Sequence, residues 1–402
     1  MRPPEALHAL LDRAEARGWA GADPYDGLLS NLGRVVTPFG FLARFAVSQS
    51  VLRSRALRAL ARPPHSVNPK ALGLWLGALA KGKDALPPHR VRELAAKLLH
   101  EIESRGTITS PGSLGWGYPF PWQSRSFWAP AGTPNAVVTA TIAWHLFEYA
   151  DAMHDARSRE LGLSAARFLE TALNMTPTTD GLAISYTAND QTKVVNVSAL
   201  AARVVARANQ WQRSEDLSQV VDRLTSFVLA AQREDGSWPY SLDPAGGWED
   251  SFHTGYVLEA LLDLRRFGAK VSSEALTRGF AAYERFFMHD GAARLTPAFG
   301  APLDAHSAAQ GILTYGALAR SSQLSAKMRD RGRVMAIRVA GWSLEHLWVN
   351  DRGCFAYRIQ KGSRDEREFA RWVEAWMALA MASVGAPGLG QEEPEREEAG
   401  VA

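Results

Sequence analysis

The chain has 402 residues, 46% of them apolar and 22% charged, with a formal net charge of +3 at pH 7. That composition allows a large buried core and excludes a disordered or fibrous chain. A single cysteine, Cys354, excludes an internal disulfide and a thiolate zinc site, and points to a reducing cytoplasm.

The first residues, "MRPPEALHALLDRAEARGWAGADPYDG", lack an apolar core of signal-peptide length, and no later stretch approaches the roughly 20 uninterrupted apolar residues of a membrane span. Within "DPYDG", Asp23 and Asp26 read as an ordinary turn as readily as a site. Residues 1–105 are expected to form basic N-terminal helices; positions 33–105 hold thirteen Lys or Arg against four Asp or Glu. In "RVVTPFGFLARFAVSQSVLRSRALRALARPP", Arg44, Arg53, Arg55 and Arg58 recur at helical spacings among apolar residues. Two readings stand: a solvated face of a packed helix, or contact of residues 34–62 with an anionic membrane surface or acidic polymer. No zinc-finger, helix-turn-helix or aromatic RNA-binding signature accompanies the charge, so nucleic acid is not an expected partner.

From residue 106 to 388 a turn signature returns. "GWGYPF", "DGLAISY", "DGSWPYS", "DGAARLTPAF" and "DRGCFAY" carry Gly115, Gly181, Gly236, Gly291 and Gly353. Their spacing, near 60 residues, marks a repeat architecture. Each unit runs through a polar segment into an apolar, small-residue helix, then a more charged amphipathic one. The apolar helices are predicted at 133–150, 194–208, 252–266, 305–320 and 368–384. Inner helix followed by outer helix, repeated, predicts an all-α fold: an α/α toroid like a six-hairpin barrel, with short β-turn segments at one rim. Residues 1–388 then form one domain, the first 105 supplying the remaining helices. Residues 389–402, ending "GQEEPEREEAGVA", read as a disordered acidic tail.

Outer-to-inner connections of such a ring emerge on one face, so the residues before each inner helix converge on a central mouth. Helix N-termini there favour anionic or hydroxyl-rich ligands. Trp116, Tyr118, Trp122, Trp238, Tyr240 and Trp248 are candidates to stack on sugar rings or isoprenoid chains; for Trp238 the competing reading is a plug that packs its turn.

Gln232, Gly236 and Trp238 in "QREDGSW" resemble the Q-x-x-x-G-x-W core that recurs in squalene cyclases and related terpene cyclases. The D-x-D-D acid motif of those enzymes is absent from the sequence, so the resemblance implies a fold and not their chemistry. A second resemblance spans most of the chain. "DPYDGLLS", "WGYPFPWQSR", "TPNAVVTATIAW", "ISYTANDQTKVVNVSALAA" and "DSFHTGYVLEAL" are similar to bacterial polysaccharide-biosynthesis proteins of the VpsJ type. Leu28–Leu29 depart from that pattern, where Leu-Asn is expected. The resemblance implies a toroid connected with surface polysaccharide, exopolysaccharide or lipopolysaccharide, and an oligo- or polysaccharide partner, lipid-linked or free.

Candidate chemistry follows from residue types. Asp250 and His253 share the first turn of one inner helix, and Asp304 and His306 open the next. Asp250 and Asp304 are candidate acids, His253 and His306 candidate bases, and Tyr240 a further proton carrier. Asn189, Asp190 and Asn196 in an earlier unit, with Arg371 and Trp372 in the last, are candidate substrate-binding residues. Two carboxylates suit glycoside hydrolysis; a His or Tyr base with a cation for a uronate suits elimination or epimerisation. His145, inside an apolar helix, is expected to be a core residue. No phosphate loop, serine elbow or HExxH pair occurs, and neither a metal nor a cofactor is expected. A carbohydrate-active enzyme, a non-catalytic glycan-binding scaffold and an enzyme on an isoprenoid-linked intermediate remain open.

Overall fold

The structure, a computed structural model, describes residues 1–125 and 127–385; the expected acidic tail at 389–402 lies outside them. Helix α1 (Pro3–Ala16) is followed by α2 (Asn31–Val36), α3 (Gly40–Arg53) and α4 (Arg55–Ala61), then α5 (Pro69–Lys81) and α6 (Pro88–Ser104). The repeats supply α7 (Ala136–Met153), α8 (Ala156–Thr171), α9 (Val195–Gln212), α10 (Glu215–Ala230), α11 (Ser251–Arg266), α12 (Ser273–Glu284), α13 (Ala305–Arg320), α14 (Ala326–His346) and α15 (Trp376–Val384). Each of α5, α7, α9, α11, α13 and α15 packs on the next, and α15 returns to α5. These six form the inner ring of an α/α toroid. α6, α8, α10, α12, α14 and α1 make the outer layer, and the strands are paired segments of two to four residues.

Inner helices are apolar around most of their circumference; α7 buries thirteen named residues, Thr139 and His145 among them. Outer helices bury one stripe, as α10 does with Val221, Leu224, Phe227 and Val228. Inner-to-outer turns are tight, because His154 and Arg213 adopt left-handed backbone at the C-caps of α7 and α9. Asp155 and Ser214 then cap the helices that follow.

The repeated glycine has a steric cause. A Cβ at Gly181, Gly236 or Gly291 would strike the carbonyl oxygen of Arg223, Arg278 or Arg338, each on the next unit's outer helix. Gly236 and Gly291 also sit at φ +85° and +100°, conformations that side chains disfavour. Trp116 and Trp238 belong to the same device. Both are buried, and their indole N–H groups donate to Ile102 O at 2.7 Å and Val228 O at 2.9 Å. They plug the turn onto the end of the preceding outer helix and do not face the mouth, contrary to their proposed stacking role. Gln232 completes the tie, donating to Gly236 O and Ala275 O, so the Q-x-x-x-G-x-W core here joins helices.

A second regularity locks the inner ring. The first N–H of each inner helix donates to a carbonyl of the next unit's turn: Ala136 to Tyr186, Val195 to Tyr240, Ser251 to Leu295 and Ala305 to Tyr357, at 2.9–3.1 Å. Ala370 donates to Ala22 O at 3.0 Å and closes the circle; α5 begins at Pro69, which has no N–H. The acceptor residues follow the repeated glycines by four or five positions, and their side chains line one cavity.

The last inner segment departs from the predicted single α-helix at 368–384. Residues Ala370–Ala375 form a π-helical turn before α15, with Glu374 N–H reaching Phe369 O. The widened turn carries Arg371 to Asp23, 2.5 and 2.8 Å from its two oxygens. Asp26 in turn accepts from Arg58 at 2.8 Å. "DPYDG" is therefore a buried joint between the segment after α1 and the last described inner segment. α2–α4 leave the ring between α1 and α5 and lie at the mouth, where Phe45, Gln49 and Leu52 border the cavity.

Candidate active site

All six inner helices point their N-termini at a cavity of about 450 Å³, lined at their first turns by Lys70, Val137, Asn196, Asp250, Asp304 and Arg371. Asn68, Asn135, Asp250 and Asp304 cap four of them with side-chain oxygens. The converging positive helix ends make the cavity favourable for negative charge.

Asp250 has two jobs. Oδ1 accepts the backbone N–H of His253, and Oδ2 lies 2.8 Å from His253 Nδ1. With Nδ1 held by the carboxylate, Nε2 is the available nitrogen of a ring that borders the cavity and stays 22% exposed. Tyr240 and Trp248 stack on each other at 4.4 Å, and both stand edge-on to His253 at 4.8 and 5.7 Å. Trp248 is partly exposed and offers its ring at the rim. Burial pushes the Tyr240 hydroxyl well above its ordinary range, so it is a proton donor rather than a base. Across the cavity, Trp122 packs against Tyr118, Phe127 and Tyr186 at 5.0–5.5 Å, and the Tyr118 and Tyr186 hydroxyls are 3.3 Å apart.

Asp304 and His306 do not repeat the Asp250–His253 geometry. Asp304 Oδ1 accepts from Ser307 N, and burial raises the carboxyl to about 6. His306 is buried behind the wall; its Nε2 is 2.7 Å from Tyr256 Oη, and its ring packs on Phe252, Trp372 and Trp376. Burial holds it neutral. Its candidate role as a base facing substrate is corrected accordingly: His306 reaches the cavity only through Tyr256, which lines it. Phe252 links the two histidines, 4.3 Å from the His253 ring and 4.6 Å from that of His306.

Among the other candidates, Asn196 is buried in the wall, its Oδ1 without a partner among the described residues. Trp372 lines the floor. Arg371 also lines it, but its charge is matched by Asp23. Asn189 and Asp190 lie outside the cavity. Asn189 is exposed, and Asp190 accepts the N–H groups of Tyr186, Thr187 and Thr192 together with both threonine hydroxyls, organising its own loop.

Sequence reasoning missed Lys70 and Tyr256. Lys70 is buried at the start of α5, its amine 5.4 Å from the Tyr256 and Trp376 rings, and burial lowers its pKa strongly. A lysine opening the apolar run "NPKALGLWLGALA" was the available signal. Tyr256 lay in view three residues after His253. No cluster that could hold a metal occurs among the described residues.

Tyr256 and Trp376, stacked at 5.5 Å, also border a second cavity of about 390 Å³ at the opposite mouth. His145 is there, buried and 2.8 Å from Glu148, which meets Lys81 at 2.5 Å. It is a satisfied, buried residue, at a polar wall rather than in an apolar interior.

No protein-family model matches the chain, and no curated protein matches it. Solved structures do. A GH76 α-mannanase of Bacteroides thetaiotaomicron superposes with a TM-score of 0.59 at 12% identity, covering 79% of this chain and 86% of that one. Cellobiose 2-epimerase of Bacillus thermoamylovorans gives 0.58 at 11%, covering 78% and 87%. The unsaturated glucuronyl hydrolase of Bacillus sp. GL1 gives 0.58 at 13%, covering 79% and 86%. At these identities the likeness establishes the α/α six-hairpin toroid.

Proposed function

We propose that this protein is an enzyme that transfers protons on an acidic oligosaccharide, a reading carried by the Asp250–His253 pair at the wall of an aromatic cavity. Asp250 orients the imidazole, and Nε2 serves as the general base. Asp304, with its carboxyl raised to about 6, is the matching proton donor. Asp250 and Asp304 each spend one oxygen on a helix N-terminus, and the second oxygen of Asp250 holds His253. Direct glycoside hydrolysis needs two carboxyl groups turned to the scissile bond, so this arrangement favours elimination or epimerisation beside a carboxylate. Arg53, Arg125 and Arg358 border the cavity against only Asp250 and Asp304, which suits a uronate. Trp248 and Trp122 offer faces to sugar rings. Three toroid neighbours, a mannanase, an epimerase and a glucuronyl hydrolase, support a carbohydrate substrate.

The finer assignment is a free or lipid-linked glycan of bacterial surface-polysaccharide biosynthesis, handled in the cytoplasm. Its support is the motif resemblance and the unpaired cysteine. The test is incubation of the full chain with polyuronate oligosaccharides in deuterated water. Deuterium uptake beside the carboxylate, or the ultraviolet absorbance of unsaturated ends, is expected, with a loss of about 10³-fold in His253→Ala. New reducing ends without either signal would mean hydrolysis. Binding without turnover, lost in Trp248→Ala, would mean a glycan-binding module.

A further inference from the structure

We infer that the α2–α4 excursion docks on an anionic lipid bilayer and seats the cavity mouth at the headgroups. The stretch Asn31–Arg53, 23 residues long, is interrupted by Arg34 and Arg44 but is on average apolar enough to cross a membrane, with a mean hydropathy of 1.3 over its window, yet only 11% of that window is buried. A core helix of such hydropathy would be covered. Here Val35, Phe39, Leu42 and Leu60 are 66, 73, 79 and 80% exposed. Gly40, at φ +84°, separates α2 from α3, so the apolar side chains lie along the surface in two bent pieces and do not form one continuous span.

Charge identifies the occupant. The sequence has no Asp or Glu between Asp26 and Asp84, while α2–α4 and the residue after them carry Arg34, Arg44, Arg53, Arg55, Arg58 and Arg62. Arg58 is tied to Asp26 and Arg44 to Gln123. Arg34 and Arg53 are exposed and have no ion-pair partner among the described residues. Arg55 pairs with Asp365 at 3.3 Å, but exposed apolar side chains among cations, on a segment with no carboxylate of its own, are what an anionic interface selects. A second copy of the chain would instead set these arginines against each other. The face is also the mouth: Phe45, Gln49, Leu52 and Arg53 border the cavity, and Leu242 and Phe299, on the connections before α11 and α13, are exposed as well.

The test is sedimentation of the full chain with vesicles of phosphatidylcholine alone or mixed with phosphatidylglycerol. Binding should be at least about tenfold stronger to the mixed vesicles, weaken with added salt, and fall about tenfold in Leu42→Glu/Leu60→Glu. That variant should keep the parent melting curve, because both side chains are already in solvent. Equal sedimentation of parent and variant with mixed vesicles would overturn the inference. So would a dimer, seen by light scattering and broken by the same substitutions, in a protein that ignores vesicles. The readout is independent of turnover, so either result leaves the catalytic proposal standing or falling by its own assay.

Discussion

Asp250→Asn separates the two jobs of one carboxylate. Asparagine is as good an N-cap as aspartate, so the backbone bond to His253 N–H, 2.8 Å in the parent, survives. The second contact inverts. Where Oδ2 accepts the Nδ1 proton at 2.8 Å, an amide nitrogen would offer a hydrogen instead. The imidazole then keeps its proton on Nε2, facing the cavity, and can no longer act as a base. An equivalent tautomer error in a serine protease costs about 10⁴ in rate; a loss of about 10³ to 10⁴ corresponds to about 4 to 5.5 kcal/mol of barrier. Folding should barely register the change. Asp250→Ala, which also removes the cap, should cost about 1 kcal/mol of stability and shift the melting temperature by about 2 °C or less in a chain of this size. Deuterium exchange into the glycan measures the first effect, thermal melting the second. If Asp250→Asn exchanges within about threefold of the parent, Asp250 only caps α11 and the proposed base is wrong.

Asp304 gives a pH prediction. Its carboxyl rises from 3.8 to about 6 on folding, so the folded state holds its proton more tightly, and this contribution to stability is full below about pH 4 and lost as pH rises through about 6. Asp304→Asn, which keeps the cap, should therefore stabilise at pH 8 by up to about 3 kcal/mol and by nothing near pH 4, as read by urea denaturation. Trp238→Ala should cost about 3–5 kcal/mol through the lost plug, and any loss of turnover should track the unfolded fraction. Arg371→Met leaves Asp23 buried without its partner, at about 3–5 kcal/mol; adding Asp23→Leu should recover most of that in the same assay.

The ring was legible because its cause is periodic. A glycine returns in each unit's turn, pressing on a neighbouring helix at Gly181, Gly236 and Gly291, and the inner helices lie where the apolar runs predict. Asp250 and His253 were legible for a local reason: three positions at a helix start share a face. What stayed hidden depended on long-range placement. In "DGSWPYS" the plug is one of two readings of Trp238, and only the placement of the outer helix decides that Trp238 turns back to it while Tyr240, two residues later, turns to the cavity. Asp23 and Arg371 are 348 positions apart, and His306 looks like a twin of His253 until Tyr256 is found between it and the cavity. The exposure of α3 was equally unreadable, since a covered and an uncovered apolar helix share one sequence pattern.

Closing the circle through Asp23, Ala22 and the segment 370–375 has a consequence for biogenesis. A chain emerging from the ribosome can stack each hairpin on the one before, but α1 and α5 must wait for α15, the last of the described helices. Until it arrives the nascent protein is an open arc with two uncovered apolar edges, a template for association with other arcs and a target for chaperones. Circular permutation should move that vulnerable seam without altering the finished ring: joining the old ends and opening the chain in the exposed turn at Gly268 would make α12 the first helix synthesised, and would show whether yield follows the position of the seam.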